Sequence, residues 1–456
     1  MNRPAWVRLD NASNIFLAAR SDADPKVFRM SAELDHEIDP KRLQEALDLT
    51  YSRYRLYHAV LRKGVFWYYL QDSDLRPLVT ADDLPTCSPI YQSGRRNLLF
   101  RVMYHRRRII VEIFHALSDG TGALWFLTDL VCAYASSPAT ASTAPSVLAP
   151  PSAGLTVDSF AHYFRRRARG SDSGGESFLT AAASAELPTL PDTPEHSAPL
   201  PRPSRKAGTK VFRVRGTRTP DNRPRLVELT MPAADVIALA KAEGVALTIY
   251  LTTLFFESIR LSEGGLGRSR TLSASVPVNL RQFFPSASPR NFFATVRIAH
   301  TYGEGDDDPG SVGRALEAQF RAKVTPEALE RKLRLLIRFE QMPALRILPR
   351  PLKDLILRQF NRGVNRSLSV AVSNLGRVSL PEPAEAQVGR MLFHVSAARP
   401  QFCAMSHAGQ LTISFTSPFT ETAHVREFAR LLSEQGVEVS VAAARVTEAE
   451  LAEVRT

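Results

Sequence analysis

Apolar residues recur along this chain with two periods, 3.6 residues and 2 residues, and the switches between them outline its elements. Pro40–Arg53 reads as a helix: Asp39 stands at the N-cap, Pro40 at the first helical position, and Leu43, Ala46, Leu47 and Thr50 share one face. Residues 54–61 lead into an aromatic strand, Val65–Leu70. The runs Leu98–Tyr104 and Ile109–Phe114 flank the polar residues His105–Arg108 and predict a hairpin. A helix over Thr121–Ala135 follows, with Leu124, Leu127, Val131 and Tyr134 at helical spacing. Between hairpin and helix lies the loop His115-Ala116-Leu117-Ser118-Asp119-Gly120.

The pattern then changes. Ser, Ala, Pro and Thr dominate residues 136–224, too little apolar surface for an independent core, which predicts a partly ordered crossover with a short helix at Phe160–Arg169. Beyond it the spacing predicts a strand Leu226–Thr230, a helix Ala233–Glu243 stopped at Gly244, and an apolar helix Thr248–Leu261. Strands follow at Thr271–Val276 and Phe292–Ala299. A basic helical stretch, Pro326–Phe360, is broken at Pro343, Pro349 and Pro351. Strands at Ser367–Val372, Met391–Val395 and Leu411–Phe415 and a helix Thr422–Gly436 complete the chain. Helices and strands mix without strict βαβ alternation, which predicts an α+β fold. A length of 456 residues exceeds a typical single core and predicts two subdomains, about 1–215 and 216–456.

Charge narrows the partners only slightly. A formal net charge of +12 attracts nucleic acid, anionic lipid, an acidic carrier protein or a phosphorylated cofactor alike, and part of it accompanies a general richness in Arg and Ala. No zinc knuckle, RNP-type motif or helix-turn-helix accompanies the charge, so nucleic acid is not expected. The three cysteines, Cys87, Cys132 and Cys403, are widely spaced, and neither a disulfide framework nor a metal site is expected. Met1 to Phe16 holds no apolar run of signal-peptide length, and the expectation is a soluble cytoplasmic protein. Between Ala328 and Arg362 stand nine Lys or Arg and three Asp or Glu, with Leu333, Leu336, Ile337, Leu345 and Leu348 as an apolar stripe. Such a stretch fits peripheral membrane contact, an acidic carrier protein, coenzyme A phosphates, or a packed helix with a solvated basic face.

The strand-to-helix loop carries the chemistry. A histidine titrates near physiological pH and serves as a general base when a carboxylate fixes the loop that presents it. Glycine permits the tight turn into the helix. By itself the pattern also fits a histidine satisfied within its own loop.

Four segments in order add to it. His115 to Gly120 resembles the HxxxDG motif of the chloramphenicol acetyltransferase-like superfamily, which includes alcohol acetyltransferases, polyketide-associated acyltransferases and condensation domains. Pro277-Val278-Asn279-Leu280-Arg281 resembles its PVxxR segment, Arg290-Asn291-Phe292-Phe293 the strand start that follows, and Ser373-Asn374-Leu375-Gly376 a late strand end. Condensation domains usually carry two adjacent histidines. Phe114 stands at the first position here, which looks more like the alcohol acetyltransferase branch.

The resemblance implies two subdomains with mixed sheets and an active-site tunnel between them. It implies His115 as general base toward a hydroxyl acceptor, a small molecule or a lipid alcohol. The acyl group would arrive as a thioester on coenzyme A or on a carrier protein's phosphopantetheine, with no acyl-enzyme and no permanently bound cofactor. It assigns Asp119, Gly120 and Arg281 a structural role, with Asp119 paired to Arg281. Ser373 and Asn374 become candidate substrate or oxyanion contacts, or else a polar strand end bonded to backbone. Trp125 is expected to pack in the core or line the tunnel. The alternatives are an amide-forming condensation enzyme and a non-catalytic binding module on the same fold.

Overall fold

A computed structural model describes residues 6–9, 11–136, 159–164, 211–219, 222–266, 270–341 and 348–443. Most of the predicted crossover at 136–224, the second half of the Phe160–Arg169 helix, and Leu345 fall outside these residues.

Local chemistry starts the elements where the pattern placed them. The Asp39 carboxylate accepts the Lys41 N–H at 2.9 Å, Pro40 opens the helix, and Leu43, Ala46, Leu47, Thr50 and Tyr51 are buried along one face. The hairpin is Phe100–His105 and Arg108–Phe114, with Arg106 in the left-handed region at φ 49° in its two-residue turn. The aromatic strand is displaced: Tyr68–Asp72 pairs with Ala59–Lys63, and residues 64–67 form the turn between them.

The strands form three sheets. One small sheet joins Trp6–Arg8, Tyr68–Asp72 and Ala59–Lys63. A five-stranded sheet runs, in order, Val388–Val395, Val27–Leu34, Arg108–Phe114, Phe100–His105 and Val79–Ala81. A seven-stranded mixed sheet runs Phe293–Tyr302, Arg270–Asn279, Val370–Arg377, Gln401–His407, Gln410–Ser417, Arg225–Pro232 and Ser440–Ala443, with Val370–Arg377 parallel to both neighbours. Helices Pro40–Arg53 and Gly120–Ala135 pack with the first core; Leu247–Ser262 and Ala423–Glu434 cover the second. Burial of Phe126, Leu127, Leu130, Val131 and Tyr134 on one side, and of Phe255, Phe402, Phe415 and Phe428 on the other, makes two separate apolar cores.

Sheet membership does not follow a cut at 215/216. Val388–Val395 leaves the C-terminal half and pairs antiparallel with Val27–Leu34, Met391 opposite Ala32 and Phe393 opposite Met30. Both halves therefore contribute to the five-stranded sheet. A buried ionic network also bridges the sheets: Arg108 binds Glu228 through two hydrogen bonds of 2.9 Å and Glu33 through one of 2.7 Å, and Arg390 adds bonds to Glu33 and Thr230. Opposed charges this well bonded fix the register of the seam.

Candidate active site

The motif loop leaves the end of strand Arg108–Phe114 and enters helix Gly120–Ala135, at the seam between the two cores. Its geometry is over-determined. Asp119 is the N-cap, accepting the Gly122 N–H at 2.9 Å through one carboxylate oxygen. The other oxygen accepts Arg281 Nη1 and the Phe292 N–H, each at 2.7 Å. Arg281 Nη2 donates to the carbonyls of Ser288 and Arg290, both at 2.7 Å, and the guanidinium lies 5.2 Å from the Trp125 ring centroid. The Ser118 hydroxyl donates to the Pro289 carbonyl at 2.6 Å. Asp119 and Arg281 are thus buried, bonded to each other and to backbone, and hold the loop to the segment 288–292.

Glycine is required at position 122 and favoured at position 120. A Cβ on Gly122 would meet the Pro289 carbonyl oxygen at 2.2 Å, and one on Gly120 would meet Leu375 Cδ2 at 3.0 Å. The late motif therefore reaches the loop through Leu375. Asn374 turns away: its amide donates to the Thr248 hydroxyl at 3.0 Å and its carbonyl oxygen accepts the Gly376 N–H at 2.8 Å. It serves its own strand end, and Ser373 sits in the strand ladder opposite Cys403.

His115 is partly buried in an aromatic box. Phe16 stacks on the imidazole with ring centroids 3.9 Å apart at 17°, Phe28 meets it edge-on at 5.0 Å, and Phe293 lies at 5.7 Å. The backbone N–H of His115 donates to the Lys26 carbonyl, and its own carbonyl accepts Asn291 Nδ2, both at 2.8 Å. Asn291 Nδ2 also donates to Ser13 Oγ at 2.9 Å, tying the loop to helix Asn11–Ala19. Nδ1 is buried and lacks a partner at hydrogen-bond geometry. Burial pushes the imidazole pKa down to about 4, against which the nearby Asp119 charge acts only partially. The ring is neutral at physiological pH and so can accept a proton.

Other candidates lie elsewhere. His300 pairs with Asp307 at 2.9 Å beside a turn. Phe114 is fully buried and stacks on Tyr91. The thiols of Cys87 and Cys403 are buried, and burial raises the pKa of all three thiols, Cys132 to about 12. None of the three is a ready nucleophile. In the basic stretch Leu333 and Ile337 of the expected apolar stripe are buried against the second core, and Leu348 is half-buried. Sequence reasoning did not single out Ser13 and Phe16, or give Asn291 a role. The apolar run Ile15-Phe16-Leu17 was the one local signal for the helix that carries two of them.

No family model and no curated protein matches the sequence. Solved structures match across nearly the whole chain. Trichothecene 15-O-acetyltransferase from Fusarium sporotrichioides superposes with a TM-score of 0.60 at 11% identity, covering 95% of this chain and 94% of that one. The F. sporotrichioides protein TRI101, complexed with coenzyme A and T-2, gives a TM-score of 0.58 at 11% identity, covering 95% and 99%. The first condensation domain of the CDA synthetase gives a TM-score of 0.58 at 12% identity, covering 94% and 96%. The chain has the chloramphenicol acetyltransferase-like fold that its motifs implied.

Proposed function

We propose that this protein transfers an acyl group from a thioester to a hydroxyl acceptor, with His115 as general base. The placement of His115 carries the reading: a neutral imidazole at the seam of the two cores, its loop locked by Asp119 and Arg281. Nε2 takes the acceptor's proton as its oxygen attacks the thioester carbonyl. The tetrahedral oxyanion then collapses, expelling a thiolate that recovers the proton from His115. The acyl group passes directly to the acceptor, in keeping with thiols too buried and too high in pKa to attack.

Coenzyme A as the donor's carrier is supported by the structure of the same fold that holds coenzyme A beside T-2. Condensation domains share the fold, and a carrier-bound donor is the second reading. Phe114 weighs against amide condensation, because the first motif position is a core aromatic here. The test follows free thiol released from a panel of acyl-CoAs offered with alcohol acceptors, using wild type and His115→Ala. Release by wild type alone establishes the assignment. Release from acylated carrier protein and from no acyl-CoA selects the second reading. Equal rates in both proteins would remove His115 from the chemistry.

A further inference from the structure

Helix Arg350–Arg366 is inside out. A helix on a protein surface normally buries its apolar stripe and shows water its charges. Here Lys353 is buried, held by the Phe66 carbonyl at 3.1 Å and by the Trp67 ring, whose centroid lies 3.5 Å from Nζ. On the same inward side Asp354 accepts the Tyr68 hydroxyl at 2.8 Å. The outward side carries Leu352, Leu355, Ile356 and Phe360, which are 48%, 50%, 41% and 55% exposed. Their spacing of three and four residues makes one continuous stripe.

Two neighbours extend the stripe. The Arg350 N–H donates to the Val65 carbonyl at 3.1 Å, setting the turn 64–67 against the start of the helix. Val65 and Phe66 in that turn are 72% and 43% exposed. Four large apolar side chains on one helix face, with two more exposed in the adjoining turn, make a patch of the kind that marks an interaction surface.

Charge selects the occupant. The helix has five Lys or Arg and one Asp. Arg362 and Arg366 are exposed, form no ion pair among the described residues, and flank the stripe. An apolar stripe bordered by unpaired arginines complements an anionic lipid surface, where the side chains enter the acyl boundary and the guanidinium groups meet the headgroups. No single helix among the described residues is long and apolar enough to cross a membrane.

We propose that Arg350–Arg366, with Val65 and Phe66, seats this protein on anionic membranes. The docked helix is joined to the candidate active site: Arg358 Nε donates to the Ala18 carbonyl at 3.2 Å, at the end of the helix whose Phe16 covers His115. On the acyl-transfer reading, this geometry suits a lipid-borne alcohol or a long acyl chain.

The test uses the full chain and does not depend on activity. Wild type is sedimented with vesicles of phosphatidylcholine alone and of phosphatidylcholine mixed with phosphatidylglycerol. Binding to the anionic vesicles, reversed by salt, is expected. Ile356→Glu with Phe360→Glu should lower partitioning at least tenfold, because two buried side chains of this size are lost. Arg362→Gln and Arg366→Gln should each lower it about fivefold. Unchanged circular dichroism checks that these surface variants fold. Wild type remaining in the supernatant with both vesicles, or apolar variants that bind like wild type, overturns the proposal. So does a lipid-free dimer that Ile356→Glu dissociates, since a second copy would then cover the face.

Discussion

Removing the Arg281 guanidinium tests the loop architecture. The group is 7% exposed and its partner carboxylate 5%, and their contact is 2.7 Å. Arg281→Ala leaves three acceptors short of a donor: Asp119 Oδ2 and the carbonyls of Ser288 and Arg290. Breaking one side of a buried ion pair costs about 3–5 kcal/mol. Two orphaned carbonyls would add about 1–3 kcal/mol each if nothing relaxed. Asp119 keeps the Phe292 and Gly122 N–H groups, and water can enter the vacated volume, so the lower figure is the better expectation. For a chain of 456 residues the melting temperature moves by roughly 1 °C per kcal/mol, so calorimetry should show a loss of about 3 °C. The double variant Asp119→Ala/Arg281→Ala should lose less than the sum of the single losses, since the second deletion removes the stranded charge. Arg281→Ala with a wild-type melting temperature and wild-type turnover would refute the pairing. Lost turnover at an unchanged melting temperature would instead give Arg281 a part in the chemistry.

Other outcomes follow from the same contacts. His115→Ala should slow thiol release by about 10²–10⁴-fold while leaving the melting temperature near wild type, as read by a colorimetric thiol assay and calorimetry. The acid limb of kcat/KM should fall near pH 4 and not near 6.5, because burial depresses the free-enzyme imidazole to about 4. Gly122→Ala should destabilise by about 1–3 kcal/mol in urea titrations, since its Cβ would stand 2.2 Å from a backbone oxygen. Stability should also fall as pH drops from 6.5 toward 4: His424 is buried and pushed down to about 4, so the unfolded chain, with His near 6.5, binds the extra proton. That histidine alone accounts for roughly 3 kcal/mol across the window. Burial would raise the Glu228 carboxyl, but bonds to His394 and Arg108 outweigh it and bring it to about 2, so the seam loosens further between pH 4.5 and 2. Thermal melts across this range check the direction.

The strand-to-helix site was legible because everything that forms it locally is contiguous: an apolar run, a capping Asp, and a helical period. Strand Val27–Leu34 was not, because nearly all its residues are buried on both faces and no alternation marks it. Val388–Val395 could be seen as a strand, but its place beside Val27–Leu34 is a pairing across more than half the chain that no local pattern encodes. The Asp119–Arg281 contact spans 162 residues and came from resemblance, not spacing. Asn291 lay inside a quoted motif without a role, since its use depends on the helix Asn11–Ala19 meeting the loop.

The basic stretch shows a different limit. Helical period reveals that a face exists but not which way it points. Leu333 and Ile337 occupy a stripe that packs into the second core, as amphipathic helices do. One helix later the same period is turned outward, because Lys353, Asp354 and Arg350 find partners in the strand pair around 64–68 that hydrophobes could not satisfy. Fixing the polar side inward leaves Leu352, Leu355, Ile356 and Phe360 to solvent, an arrangement that costs solubility and brings no folding benefit to the exposed side chains. On the membrane proposal an anionic lipid surface meets this face, and the exposed Arg362 and Arg366 along its border set the sign of that surface.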